Sequence, residues 1–402
     1  MEGMKPRQRV RRALDHREPD RVPVDFGGSA VTGIAVAAYE RLKSALGVGG
    51  ETAVLSRAFQ IAQPAEEVMQ ALGADFRPVY LRGPARGGLV ELDGDHLRDE
   101  WGIVYRRPPG GLYYDMVSFP LSAAGVEDLS RYPWPDPVDP ARFSSVRETA
   151  EALHRDTDYA LIGPGSGISL FEAAMCLRGH AAFLRDLVLN PGFVRSLLGK
   201  LLELRTATLG EYLRRAGRYL DVVNVSDDLG SQGGPLLSPT LYRQLVKPYH
   251  VELFRFIRQH TDARIMLHSC GDVVALLDDL IDAGVDCINP VQVSALRLSS
   301  RELKARFGSR VVFWGAIDTQ EVLCQGTPEQ VEDEVRRRIA DLAPGGGYVL
   351  SAVHNIQPDV PPENILAMTE AARRWGRYPI DTATEAPPPS APGGGKAGRP
   401  FS

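Results

Sequence analysis

The second half of the chain alternates short apolar runs with stretches in which apolar residues recur every three or four positions. Within 329–342, for example, Val331, Val335, Ile339 and Leu342 fall on one face of a helix. Short apolar runs bounded by Gly, Pro or Asp are typical of buried parallel strands. From residue 146 onward the pattern predicts six strand–helix units, with strands at Tyr159–Gly163, Asp221–Val225, Arg264–His268, Cys287–Val291, Val311–Gly315 and Tyr348–Ala352.

The amino-terminal part adds two strands to these six. Arg21–Gly28 and Ala74–Leu81 have strand patterns, and helical patterns cover 4–18, 36–46 and 63–73. Eight strands separated by helices favour an α/β fold of the closed (β/α)8 TIM-barrel type over an open doubly wound sheet. The G-x-G-x-x-G pattern of dinucleotide-binding sheets follows none of the strands.

Two segments depart from this alternation. Residues 83–145 are rich in Gly, Pro and aromatic residues and alternate like a β meander, which predicts a β-rich insertion over one end of the barrel. Residues 381–402 carry almost no apolar side chains and predict a disordered tail, because such a segment cannot offset the entropy of ordering. We therefore expect one barrel domain over residues 1–380.

The composition narrows the classes of partner. The 402 residues include 44% hydrophobic residues, enough for a large core, and a net charge of −5 is not typical of a nucleic-acid-binding protein. No apolar run approaches the roughly 20 residues that span a bilayer, so we expect no membrane partner. The four cysteines (Cys176, Cys270, Cys287 and Cys324) are scattered, which predicts reduced thiols and a cytoplasmic location.

The stretch from Arg264 to Asp272, RIMLHSCGD, holds the most specific chemistry. A brief apolar strand ends at His268, Cys270 follows one residue later, and an amphipathic helix comes next. Residues at i and i+2 of an extended segment point the same way, so an imidazole nitrogen and a thiolate can address one atom. These two ligand types together suit zinc. The alternative is a hydrogen-bonded His beside a buried Cys with no metal.

Polar side chains gather at the predicted carboxyl ends of the strands, where barrel enzymes place their catalytic groups. His354 follows the eighth strand and can supply the third metal ligand if it leans inward over the barrel mouth. Asp228 lies in the most polar turn, where a carboxylate can orient a substrate, act as acid or base, or cap a helix. The other candidates for contact with a small-molecule substrate are Asp75, Ser166, Gln232, Asn289, Asp318 and Gln357; Asp25, Asp227 and Gln292 belong to the same polar group.

From about residue 60 to 378 the chain resembles the uroporphyrinogen decarboxylase (URO-D) superfamily, which implies a TIM-type barrel. The superfamily includes the decarboxylase and zinc-dependent cobalamin methyltransferases such as methylcobalamin:coenzyme M methyltransferase. The resemblance is carried by Leu72–Asp75, Gly163-Pro164, Leu170–Glu172, Leu236–Pro239, Lys247–Tyr249, His268–Gly271, Trp314–Asp318, Gly347–Leu350, His354–Ile356 and Pro361–Ile365.

The methyltransferase branch is the one that the resemblance favours. Its members carry His-x-Cys and a distant Cys as zinc ligands; His268 and Cys270 match the first two, and His354 stands at the third position. The resemblance then implies a methyl group moving between a corrinoid and a thiol or methoxy substrate, with Asp228 and Gln232 positioning the substrate. No cobalamin-binding D-x-H-x-x-G stretch is present, so the corrinoid is expected free or on a partner protein.

Two other functions remain open at the level of the sequence. The first is uroporphyrinogen decarboxylase or another decarboxylase, using Asp75 and His354 without metal. That branch grips its substrate with the arginines of an F-M-R-Q-A-G-R-Y segment, which this chain lacks; Arg21 and Arg41 occur in unrelated contexts. The second is a non-catalytic barrel that binds a small molecule through its polar ring.

Overall fold

Seven parallel strands form one curved sheet in which each strand lies beside its neighbours in sequence. The computed structural model describes residues 3–164 and 167–382. Within that part of the chain, helical connections on the outside of the sheet return each strand to the same direction, as in βαβ units. The strands are β1 (Phe76–Pro78), β2 (Ala160–Pro164), β3 (Val222–Ser226), β4 (Arg264–His268), β5 (Cys287–Val291), β6 (Val312–Ile317) and β7 (Tyr348–Ala352).

A short segment near the amino terminus closes the sheet into a barrel. The backbone N–H of Asp25 donates to the carbonyl oxygen of Leu350 in β7 (2.9 Å), and the N–H of Asp75, just before β1, donates to the oxygen of Val24 (2.9 Å). This segment occupies the eighth position, and the predicted TIM-type barrel is confirmed. Its pairing is shorter than predicted, in part because Pro23 has no N–H to donate.

The helices surround the barrel, and most lie close to their predicted positions. The first ends at Leu14, earlier than the predicted 4–18, and two others begin with capping boxes at Ser299 and Thr327. In the described ranges, no helix has both the length and the apolar character needed to cross a membrane. The helices are Pro6–Leu14, Val36–Leu46, Glu66–Ala71, Val146–Asp156, Phe171–Arg178, His180–Leu189, Pro191–Ala216, Pro239–Leu241, Lys247–His260, Leu277–Ala283, Ser300–Phe307, Val322–Gln325, Pro328–Leu342 and Pro362–Trp375.

The barrel lumen is apolar at its amino end and polar at its carboxyl end. Val222, Met266 and Trp314 point inward from three strands, and Val10 and Leu14 of the first helix join the same buried cluster. That helix therefore covers the amino ends of the strands. The polar groups at the carboxyl ends are left at the mouth, which is where barrel enzymes carry out their chemistry.

The insertion is partly the meander that the sequence predicts. It contains a four-stranded antiparallel sheet, made of Val90–Glu91, His96–Arg98, Val104–Arg106 and Asp115–Ser118, followed by two 3-10 helices. The hydroxyl of Tyr113 donates to Oε1 of Gln357 in the loop after β7 (2.7 Å). This contact places the insertion against one side of the barrel mouth. Of the predicted tail, all but Asp381 and Thr382 lies outside the described residues.

Candidate metal centre

Three side chains from two strand ends converge at the barrel mouth. His268 ends β4, Cys270 follows in the next turn, and His354 lies in the loop after β7; their ligand atoms all lie within 4.8 Å of one another. Cys270 Sγ is 3.4 Å from His268 Nε2. Tetrahedral zinc, with bonds of about 2.0–2.3 Å, keeps its ligands roughly 3.5 Å apart. The separation between His268 and Cys270 fits a zinc ion directly, and His354, within 4.8 Å of both, would complete a set of two nitrogens and one sulfur that leaves a fourth position open.

Asn289 fixes the orientation of the His268 ring. The Nδ1–H of His268 donates to Oδ1 of Asn289 on the neighbouring strand β5 (2.6 Å), so the lone pair of Nε2 faces Cys270. Burial lowers the pKa of His268 below its ordinary value, which keeps the imidazole neutral. A neutral ring whose outer nitrogen is hydrogen-bonded is the usual form of a metal-binding histidine.

His354 is held in a backbone conformation that non-glycine residues rarely adopt. Its φ is +64°, and the next residue, Asn355, accepts a hydrogen bond from the N–H of Gly33 through Oδ1 (2.7 Å). Such strain persists only where the surroundings enforce it, and it is found mostly at functional sites. Burial, and then the nearby His268, lower the pKa of His354 to about 3. His354 is therefore neutral and ready to bind a metal throughout the physiological pH range.

Asp228 lies beside the sulfur ligand, Cys270. Its Oδ1 accepts a hydrogen bond from the backbone N–H of Cys270 (2.8 Å), which anchors the turn after β4. Burial, and then the Asp228 and Glu172 carboxylates, raise the pKa of the Cys270 thiol well above its ordinary value. A cation bound beside the sulfur reverses this balance, because a metal-bound thiol loses its proton. Metal binding is therefore expected to release a proton from Cys270.

The turn that carries Cys270 requires glycine at the following position. Gly271 has a φ of +81°, and a Cβ there would lie 2.4 Å from the backbone nitrogen of Ser231. Gly230 meets the same turn from the opposite side, because its own Cβ would lie 2.5 Å from the carbonyl oxygen of Cys270. Two glycines thus allow a hairpin to pack against the metal-binding turn.

We predict that Gly271→Ala destabilises the fold by about 1–3 kcal/mol and weakens zinc binding about tenfold or more. The methyl group enforces a shift of the turn and with it of Cys270. Chemical denaturation and competition with a zinc chelator measure the two effects. Gly233→Ala is the matched control in the same hairpin, since Gly233 has neither a positive φ nor a close neighbour. Equal zinc affinity in the two variants would contradict the prediction.

The structure brings some of the other predicted residues to the mouth. Asp318 follows β6 and accepts from the N–H of Glu321 through Oδ2 (2.8 Å), while its buried Oδ1 has no partner in the described parts of the chain. Gln357 accepts the hydrogen bond from Tyr113 of the insertion. Gln232 is exposed at the tip of a hairpin, and Ser166 lies outside the described residues. Asn289 is thus the predicted contact with the most direct link to the metal centre.

Asp75 lies at the opposite end of the strands from the mouth, a position that does not fit the predicted contact with substrate. It precedes β1 at the amino end of the barrel and is 1% exposed. Arg9 Nη1 donates to its Oδ1 (2.7 Å), Arg21 Nη1 donates to its Oδ2 (2.8 Å), and the N–H of Val24 also donates to Oδ2 (2.8 Å). A carboxylate satisfied in this way joins the first helix and the closing segment to β1.

A buried network that the sequence does not reveal supports the same mouth. Asp227 caps the helix that begins at Phe171, accepting from the N–H groups of Leu170, Phe171 and Glu172. His250 Nε2 lies 2.8 Å from Asp227 Oδ2. Glu172 lies in the first turn of that helix, and burial, and then Asp228, raise its pKa well above the ordinary value. Helix capping is one of the roles that the sequence allows for the turn of Asp227 and Asp228. Nothing in the sequence singles out His250.

Asp25 contributes a buried carboxyl to the lumen. It is 2% exposed, and Trp314 Nε1 and the N–H of Gly28 each donate to it at 3.0 Å. Burial raises its pKa to about 7. The group therefore changes its protonation state close to neutral pH.

We predict that Asp25 makes the fold less stable as pH rises from about 4 to 7. The folded protein binds this proton more tightly than the unfolded chain, so the protonated carboxyl favours folding and that advantage is lost as pH rises through 7. The free energy of unfolding changes by about 1.4 kcal/mol for each pH unit, so the loss between pH 4 and 7 reaches about 4 kcal/mol. Urea denaturation of wild type and Asp25→Asn across this range checks it. The variant should lack this decline, and parallel curves would contradict the assignment.

Comparisons with known proteins agree with this architecture. The model of the family described as uroporphyrinogen decarboxylase (URO-D) matches residues 116–375. The uroporphyrinogen decarboxylase of Alkalilimnicola ehrlichii is 26% identical over 306 residues, covering 73% of this chain and 77% of the relative. The uroporphyrinogen decarboxylase of Pseudomonas fluorescens is 26% identical over 276 residues, covering 65% of this chain and 72% of the relative. Among solved structures, a methyltransferase from Methanosarcina mazei superposes with a TM-score of 0.61 at 19% identity, covering 92% of this chain and 99% of that chain.

Proposed function

The chain belongs to the uroporphyrinogen decarboxylase family, and from this membership we propose that it is a zinc-dependent methyltransferase. It moves a methyl group between a corrinoid and a thiol or methoxy substrate. The observation that carries the proposal is the convergence of His268, Cys270 and His354 within 4.8 Å. Three protein ligands of nitrogen and sulfur type are the usual set for a catalytic zinc.

The residues at the barrel mouth would have different roles in such a reaction. Bound zinc would supply a Lewis acid that favours the thiolate form of a thiol or polarises a methoxy oxygen. Asn289 keeps Nε2 of His268 directed at the metal position, and the strained loop of His354 presents the third ligand. Asp228 holds the Cys270 turn through the backbone and places a carboxylate beside the reacting groups.

Glu172 is our candidate for the proton acceptor. An incoming thiol must lose its proton, and a carboxylate whose pKa is raised accepts a proton more readily than an ordinary carboxylate does. The pKa of Glu172 is raised by burial and by Asp228, whereas Arg205 opposes the rise. In this proposal an Oε of Glu172 takes the proton of the substrate thiol and returns it to solvent.

The corrinoid would come to this mouth from outside the chain, free or on a partner protein. The sequence has no D-x-H-x-x-G stretch for holding it. The insertion borders the mouth through the contact between Tyr113 and Gln357. A large cofactor that approaches the metal centre would therefore pass beside the insertion.

The decarboxylase alternative has its support in the names of the relatives, but the position of Asp75 weighs against it. A porphyrinogen has many carboxylates and needs cationic partners. At the amino end of the barrel, Arg9 and Arg21 are already bound to Asp75, and Arg9 also binds Asp20 (2.7 Å). These arginines are engaged away from the mouth.

The test combines metal analysis with two activity assays. We expect about one zinc per chain in protein purified from zinc-supplemented cells, and zinc-dependent demethylation of methylcobalamin by a panel of thiols. Uroporphyrinogen should not be turned over. A zinc-free protein that decarboxylates uroporphyrinogen would overturn the proposal. A protein that binds zinc but transfers no methyl group to or from any panel member would leave only the metal site.

A further inference from the structure

Three polar side chains inside the barrel have hydrogen-bonding atoms without partners. Asn224 is 0% exposed, and neither its Oδ1 nor its Nδ2 has a partner in residues 3–164 and 167–382. The same holds for Oγ of Ser226 and for Nδ2 of Asn289, both of which are buried. Buried polar groups are nearly always paired, because leaving them unpaired costs stability. Four such atoms on the two strands that flank β4 therefore indicate that something polar binds between them.

The strand register places these atoms beside and beneath the metal centre. Ser226 on β3 and Asn289 on β5 are the register partners of His268 on β4, one on each side. Asn224 is the partner of Met266, two residues nearer the amino end. Residues two apart on a strand share a face, so all of these side chains point into the lumen with Met266. The spacing along a strand puts Asn224 about 7 Å below the level of the ligands.

Asn224, Ser226 and Asn289 together form a polar wall, which offers hydrogen-bond donors and acceptors but carries no formal charge. Asn224 can both donate and accept, Ser226 can do both, and Asn289 has donors left because its Oδ1 accepts from His268. The cation on β4, Arg264, lies at the amino end and pairs with Asp15 (2.6 Å). A carboxylate or sulfonate would therefore meet no opposite charge at this wall, whereas a hydroxyl or amide would meet matching partners.

We propose that Asn224, Ser226 and Asn289 bind an uncharged hydroxyl, carbonyl or amide group of the substrate, on the lumen side of the metal centre. The inference rests on the proposed methyl transfer at that centre and adds the class of substrate. The substrate carries its sulfur or methoxy group at the metal and an uncharged polar group a few atoms away. Asn224 and Ser226 are then specificity residues, which favour such substrates over anionic or wholly apolar ones.

Three thiols of matched length provide the test. 3-Mercapto-1-propanol carries a hydroxyl, 3-mercaptopropionate a carboxylate and 1-butanethiol no polar group. Their dissociation constants are measured by titration calorimetry on the full-length protein, zinc-loaded and zinc-free. We expect the hydroxyl thiol to bind about tenfold tighter than either competitor, because each competitor leaves the polar wall unpaired. In the Asn224→Leu variant, 3-mercapto-1-propanol should bind no more tightly than 1-butanethiol, while the zinc content stays unchanged.

Two further variants separate binding from folding. Ser226→Ala removes one partner and should reduce the preference severalfold. Asn364 is a matched buried asparagine outside the lumen, whose Nδ2 donates to the carbonyl oxygens of Leu323 (3.0 Å) and Gly326 (2.8 Å). Asn364→Leu should lower Tm and keep the preference. Asn224→Leu should not lower Tm, because it removes buried polar atoms that had no partner.

The outcomes distinguish this inference from the proposed function. Equal binding of the three thiols, tighter binding of the carboxylate, a preference that survives Asn224→Leu, or no binding in either metal state would overturn the inference. Buried water alone would then satisfy the polar wall. Thiol affinity that does not depend on zinc would instead count against the proposed methyl transfer. In that case, the preference for 3-mercapto-1-propanol over the other two thiols would still show whether the polar wall binds an uncharged polar group.

Discussion

Replacing Cys270 with alanine is expected to abolish zinc binding and methyl transfer together while the barrel remains folded. The change removes the thiolate ligand and leaves two imidazoles, so the loss of affinity should exceed the roughly 10–100-fold that follows loss of an outer hydrogen-bond partner. Cys270 lies in a turn at the mouth, outside the apolar core, so Tm of the zinc-free protein should change little. Zinc per chain by mass spectrometry and circular dichroism melting measure both effects.

Cys324→Ala is the matched control. Cys324 is another half-buried thiol, and its Sγ donates to the carbonyl oxygen of Gln320 (2.8 Å) in a short helix that supplies no zinc ligand. This variant should keep zinc and activity. His354→Cys should also keep zinc, because it restores the ligand set that the methyltransferases carry. If Cys270→Ala binds zinc and transfers methyl groups as well as wild type, the proposed function is wrong.

The zinc affinity should also fall as pH drops. The Cys270 thiol, whose pKa burial raises in the metal-free protein, must lose its proton on binding, so acidity opposes binding. His354, with a pKa of about 3, does not compete for protons above about pH 4. The decline between pH 8 and 5 is therefore assigned to the thiol and to His268, not to His354.

The repeating part of the fold could be predicted from the sequence because buried parallel strands and amphipathic helices have distinct periods. All six strands predicted after residue 146 are present, within a few residues of their predicted ends. The amino-terminal strand that closes the barrel was harder to predict, because its pairing depends on where Val24 meets Leu350, a contact between distant parts of the chain. In the insertion, the sheet covers only 90–118, since the Pro-rich remainder forms 3-10 turns.

The candidate site was predictable where neighbours in sequence are also neighbours in space. His268 and Cys270 share a strand end, so their spacing alone indicated a common target. The link from Asn289 to His268 depends on strand register, and the network of His250 with Asp227 depends on helix packing. Asp75 was misplaced because a polar residue next to a short strand can lie at either end of it. The arginines that bind Asp75 come from segments 54 and 66 residues away.

Asp75→Ala is the second large effect that we expect, and it acts on stability. The substitution leaves Arg9, whose side chain is 8% exposed, without one of its carboxylate partners. Removing one member of a buried ion pair typically costs about 3–5 kcal/mol. Asp20, which also binds Arg9, compensates in part. Urea denaturation should therefore show a loss of about 3 kcal/mol or more, with m unchanged.

The same variant separates the two roles that the sequence allowed for Asp75. As a structural group at the amino end it should leave zinc binding by the folded molecules unchanged, because the metal centre lies at the opposite end of the strands. Asp158→Ala, which breaks an exposed pair with Lys5 on the same face, should cost less than about 1 kcal/mol. A stable Asp75→Ala protein without activity would instead return Asp75 to the substrate site and favour the decarboxylase alternative, since a substrate-binding carboxylate costs little stability when it is removed.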